Sequence, residues 1–246
     1  LGSLAGAAAT MLLGGFYTRR GIQHMFWIHG LFMGACLLCF LPLPDRAAAA
    51  RQQRRGSGSV RPFLPLFFGG VLLFLSWRVI MIYLPVLLLE RGGNASHQGT
   101  AMSLISLSVM PVLMLYPRLR KRFSCRCLLL LGGISMVVRL AIMAVATDVR
   151  TLILAQLLEA LSYGLTQTAV MELLSHAAPE LRPRVVSIWT GCQMALCTVA
   201  ANGLVTLLGR RLCLNEILAW MTLPAALGTL VLLRAPYAKE ECSDAG

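Results

Sequence analysis

Two residues of opposite charge stand where charge is costly. Arg139 and Glu159 lie inside two apolar runs, 128–147 and 151–174, joined by a three-residue polar turn, Asp148-Val149-Arg150. At about 1.5 Å per residue, each run spans a hydrocarbon core of about 30 Å, so the pair reads as a transmembrane hairpin. Arg139 lies eight residues before Thr147, and Glu159 lies eight after Thr151. Both sit roughly 12 Å below one end of the hairpin, at matched depth. A lone charge there costs on the order of 2.5–3.5 kcal/mol, and opposite charges offset that cost if the helices bring them together. An ionisable pair inside a membrane points to a proton or substrate pathway. A second cation, Arg78, lies near the middle of the apolar run 62–89. Two cations against one interior carboxylate leave a surplus positive charge, to be met by an anionic substrate or by a carboxylate elsewhere.

Polar residues flank this charge group at helical spacing. On a 100°-per-residue wheel, Gln156, Glu159, Tyr163, Thr166 and Gln167 share an arc of about 100° on an otherwise apolar helix. Glu172 points away and lies near the opposite end. Trp189, Thr190, Gln193 and Cys197 form a second stripe on the run 185–208. A polar stripe on a membrane helix faces either a water-filled cavity or a packed partner. The plainer alternative is interhelical hydrogen bonding alone, about 0.6 kcal/mol per contact. For Arg78 it is snorkelling to the interface. The ionisable Glu159 favours a cavity, with Gln156, Tyr163, Thr166, Gln167, Trp189 and Gln193 as lining candidates and Glu159, Arg139 and Arg78 as the charge network for proton coupling.

The elements that must position these residues are apolar helices. Of 246 residues, 57% are hydrophobic and 13% charged, with a mean hydropathy of +0.73. A soluble domain carries about twice that charged fraction. Eight candidate spans follow: 1–17, 25–43, 62–89, 98–116, 128–147, 151–174, 185–208 and 212–233. All are expected to be helices, because an open sheet cannot span lipid. The segment DRAAAARQQRRGSGSVR, 45–61, is a basic, flexible linker that divides the spans two and six. Most of the 22 Lys and Arg fall in 43–61, 117–127, 175–184 and the tail, which the positive-inside rule places in the cytoplasm with the C-terminus. The net charge of +12 is thereby explained by topology, and no nucleic-acid motif accompanies it. The eight Cys show neither ligand spacing nor a disulfide framework, and no metal or cofactor is implied. Asn94-Ala95-Ser96 matches a glycosylation sequon by pattern alone.

This arrangement resembles the last eight helices of a twelve-helix major facilitator superfamily transporter. LGSLAGAAATMLLGGF resembles the fifth helix of the lactose-permease-like and phenylpropionate-permease-like branch. LLLLGGISMVVRLAIMA and LILAQLLEALSYGLTQTAVMELL resemble its ninth and tenth helices, with the ninth-helix arginine at Arg139. The basic PRLRKRF loop resembles the second-half copy of the superfamily's cytoplasmic loop motif. In the sugar symporters the tenth helix carries a Lys, His and Glu cluster. Here that stretch offers Gln156 and the single carboxylate Glu159, displaced by about half a turn. The resemblance implies an all-α integral membrane protein. Residues 1–44 would be the last two helices of the N-terminal half, 45–61 the linker and 62–246 the C-terminal six-helix half. Helices one to four would be missing, and the chain alone would show no solute flux.

The implied function is secondary active transport of a small organic solute in symport with protons. The protein would be multi-pass in the cytoplasmic membrane and monomeric when full length. The alternative is a transporter-like receptor or scaffold without transport. An enzyme is disfavoured, because HExxH, GxSxG, catalytic carboxylate pairs and phosphate loops are all missing from the sequence.

Overall fold

The computed structural model describes residues 23–40 and 59–234. The span at 1–17, most of the linker at 45–61 and the tail beyond 234 lie outside the described residues. Within them every regular element is helical, and no strand occurs. In chain order these are α1 (Gln23–Phe40), α2 (Leu64–Glu90) after a 3-10 turn at Arg61–Phe63, α3 (Ala95–Arg120) and α4 (Cys125–Val145). Next come α5 (Val149–Ala155), a 3-10 turn at Gln156–Leu158, a π-helical segment at Ala160–Leu165 and α6 (Thr166–Ser175). The chain continues with α7 (Arg182–Gly191), a second π segment at Cys192–Leu196, α8 (Cys197–Leu208), α9 (Leu214–Trp220) and α10 (Thr222–Arg234).

Five of the expected spans are helices long and apolar enough to cross a membrane: Arg61–Glu90, Ala95–Arg120, Cys125–Val145, Arg182–Leu208 and Leu214–Arg234. The expected span at 151–174 is helical but not continuous, because the 3-10 and π segments interrupt it around Glu159. Side chains such as Phe68, Met114, Val145, Val199 and Leu207 lie exposed on the outside of the bundle. An all-round apolar exterior is what lipid requires.

Helix starts follow from capping residues between the apolar runs. The Asn94 side chain accepts the His97 N–H at 3.1 Å, and His97 Nδ1 accepts the Asn94 N–H at 3.2 Å. The side-chain oxygen of the apparent sequon's Asn94 is thus engaged in a cap. Ser124 accepts the Cys127 N–H at 3.3 Å, and Asp148 accepts the Thr151 N–H at 2.9 Å. This last contact corrects the expected turn. Val149 and Arg150 belong to α5, and the connection is 146–148, because Asp148 closes it by capping the next helix.

Successive long helices alternate in direction. Arg91, Asp148 and Cys213 therefore mark one end of the bundle, and Arg120, Ser124 and Glu172 mark the other. Small residues set the crossings, as expected where no hydrophobic force drives helices together in lipid. A Cβ on Gly228 of α10 would meet the Gly69 carbonyl oxygen at 2.6 Å and the Leu73 nitrogen at 2.8 Å, so α2 and α10 pack backbone to backbone. Gly70 of α2 faces the Trp189 indole of α7, Gly132 of α4 faces Thr166, and Gly133 faces Thr229 of α10.

Candidate functional site

Burial in the bundle gives Arg139 and Glu159 few possible partners, and the fold brings them to each other. Arg139 Nη1 of α4 forms an ion pair with Glu159 Oε2, and the side chains are 0% and 1% exposed. Arg139 Nη2 donates to Gln156 Oε1, while Gln156 Nε2 donates back to the Leu152 carbonyl at 2.7 Å. The other Glu159 oxygen, Oε1, accepts the Trp77 indole N–H of α2 at 2.6 Å. Three helical segments thus converge on one carboxylate. A charge taken out of water needs both an opposite charge and hydrogen bonds for its remaining lone pairs, and Glu159 has both.

An aromatic layer lies against this pair. Tyr163 stacks on Trp77 with ring centroids 4.7 Å apart and planes at 22°. Phe74 meets Trp77, Tyr163 and Trp189 edge to face, at 6.1, 5.9 and 5.3 Å. Edge-to-face and offset geometries suit the ring quadrupoles. The guanidinium of Arg78 lies 4.9 Å from the Trp77 ring centroid, close enough for a cation–π contact.

Arg78 makes no ion pair among the described residues. Its Nη2 donates to the Gln193 carbonyl at 3.3 Å and contacts Met194 Sδ at 3.0 Å. Gln193 and Met194 both lie in the second π segment. A π turn displaces carbonyls from their usual i−4 partners, which frees them for neighbouring donors. Ser135 of α4 exploits the other irregular stretch in the same way, donating to the Leu158 carbonyl at 3.2 Å.

The remaining expected lining residues divide between two faces. Gln156 joins the ion pair, whereas Tyr163 lies on the Trp77 side. Gln167 accepts from Gln193 Nε2 at 3.0 Å, linking α6 to the second π segment. Thr166 is fully buried against Gly132, and its hydroxyl is without a partner among the described residues. Trp189 is 1% exposed and fills the space over Gly70. These two sit in packing rather than beside the carboxylate. Trp77 is the residue that the sequence does not single out. It lies 82 positions from Glu159 in an apolar run and reads as an ordinary membrane aromatic. Glu172 pairs instead with Arg120 at 2.8 Å and accepts from the Tyr116 hydroxyl at 2.6 Å, at the far end of the bundle.

The arrangement satisfies both oxygens of one buried carboxylate, Oε2 through the Arg139 guanidinium and Oε1 through the Trp77 indole N–H, from two different helices. The irregular segments interrupt the helices that carry Glu159 and Gln193.

The family model described as Major Facilitator Superfamily matches the chain over residues 1–201 and again over 66–241. No curated protein matches it.

Proposed function

Since the chain belongs to the major facilitator superfamily and is therefore a multi-pass membrane transporter, we propose that it is a secondary active transporter coupling a small organic solute to protons through Glu159. The observation that carries this reading is the buried Arg139–Glu159 pair, with Trp77 on the second carboxylate oxygen. An intramembrane ionisable residue marks an ion or substrate path by default, and this one sits among aromatic and amide side chains that suit a solute.

The proposed cycle uses only these residues. Glu159 is ionised while Arg139 holds it. When the halves rock about the bound solute, the pair loosens and Glu159 carries a proton instead. Trp77, Tyr163, Gln167 and Gln193 are the proposed solute contacts, and Arg78 contributes the surplus positive charge for an anionic group. Gln156 positions Arg139. Thr166 and Trp189 hold the helices together. In this reading residues 62–246 form one six-helix half. The double match over 66–201 fits a family whose two halves repeat one design.

The test is uptake by the intact protein in vesicles under an inward proton gradient, with a panel of labelled sugars, nucleosides and organic acids. The gradient should drive saturable accumulation of at least one class. Glu159→Gln should abolish uphill accumulation and retain exchange of preloaded solute. Saturable binding with no flux of any panel member would favour a receptor of the same fold.

A further inference from the structure

At the end of the bundle away from Arg120, a cleft of about 480 Å³ opens between the end of α2, the end of α8 and the start of α9. We propose that this cleft is a second binding site, for a singly charged carboxylate on an apolar body, with Arg91 as its anchor. Its volume lies within the usual range of small-molecule sites, about 300–1,000 Å³.

Arg91 lines the cleft, and its buried Nε has no hydrogen-bond partner among the described residues. The guanidinium as a whole makes no ion pair among the described residues, and an anion in the cleft would supply one through its outer nitrogens. Glu90, the neighbour in sequence, forms no ion pair with Arg91, which follows it as the non-helical cap of α2. The guanidinium fork fits a carboxylate through two parallel hydrogen bonds, a geometry that a neutral amide does not match.

The rest of the lining sets the shape of the ligand. Val86, Val205 and Ile217 form apolar walls, which suit a hydrocarbon body rather than a sugar. Gly209 also lines the cleft and is followed by the exposed Arg210 and Arg211, which raise the local anion concentration. The unpaired carboxylate of Glu90 also lines the cleft and disfavours a dianion. Glu216 is held in a helix cap, where its Oε2 accepts the Cys213 N–H at 2.8 Å, and it forms no ion pair with Arg91.

Cys213 supplies a reporter, since it lines the cleft and is an exposed free thiol. Cys127, also free and exposed, lies at the other end of the bundle and serves as the internal control. The experiment measures alkylation of both thiols by a maleimide in the purified full chain, peptide by peptide, with 4-methylpentanoate or 4-methylpentanamide added. At ten times its dissociation constant, the carboxylate should slow Cys213 about tenfold and leave Cys127 unchanged. The amide should protect neither, and Arg91→Gln, checked for an unchanged elution profile, should lose the protection. Glu159→Gln should retain it, so failure here is distinguishable from failure of proton coupling. No slowing of Cys213, equal slowing by the amide, or full protection in Arg91→Gln would overturn the proposal.

Discussion

The Arg139–Glu159 pair makes a quantitative demand on stability that differs between substitutions at one position. Glu159→Leu removes the acceptor for both Arg139 Nη1 and Trp77 Nε1. Arg139 is fully buried, so its charge is left with only the Gln156 oxygen. Breaking a buried pair in this way costs about 3–5 kcal/mol. The stranded indole N–H adds to that, so the variant should fall at the upper end of this range. Glu159→Gln keeps an oxygen for one donor and should cost less than Glu159→Leu. In Arg139→Leu/Glu159→Leu no buried charge remains. The double variant should recover most of the loss, leaving a deficit of about 1–3 kcal/mol for the unpartnered Trp77 and Gln156 groups. The assay is a double-mutant cycle in detergent, read by thermal unfolding of the purified protein. Losses that simply add, with the double variant the least stable of the set, would refute the reasoning.

Three further outcomes follow from geometry. Gly228→Ala should destabilise by about 1–3 kcal/mol, because its Cβ meets backbone atoms of α2 that cannot give way, while Gly203→Ala, with nothing within 4 Å, should leave thermal unfolding unchanged or slightly raised. A single cysteine replacing the exposed Lys121, in a background without other reactive thiols, should react with an impermeant reagent from the cytoplasmic side only, as the basic loop requires; labelling from outside intact cells would reverse the topology. The Asp148 carboxyl is held below the usual aspartate range, chiefly by the Thr151 backbone N–H and next by the Thr151 hydroxyl. Its contribution to the start of α5 is therefore present above the unfolded value near 3.9 and lost as pH falls through the lower folded value. Amide exchange at Thr151 should quicken over that interval in the native protein, whereas Asp148→Asn, which keeps the acceptor without the titration, should show no such step.

Five of the eight expected spans were legible as membrane-length helices because apolar runs of about 20 residues and polar caps leave few alternatives. The matched depth of Arg139 and Glu159 was legible for the same reason, since rise per residue converts position into depth. Direction around the helix was harder to read. A fixed 100° wheel assumes α geometry, but the 3-10 turn at Gln156–Leu158 and the π segment at Ala160–Leu165 change the angular advance within the stripe itself. Gln156 and Glu159 consequently face Arg139, while Tyr163 and Gln167 serve other neighbours. Trp77 escaped because an indole in an apolar run carries no sign that its N–H meets a carboxylate on a distant helix. Arg78 was legible as a cation within an apolar run but not as a donor to a π-segment carbonyl, because that carbonyl becomes available only once the irregular turn has formed.

The central claim is that Glu159 carries the coupled proton. Its most direct measurement loads vesicles containing the intact protein with a pH-sensitive dye and adds, from outside, the solute that the uptake panel identifies. The native protein should acidify the vesicle interior as solute enters, and Glu159→Gln should exchange solute with no change in internal pH. Acidification by Glu159→Gln at the native rate would contradict the account.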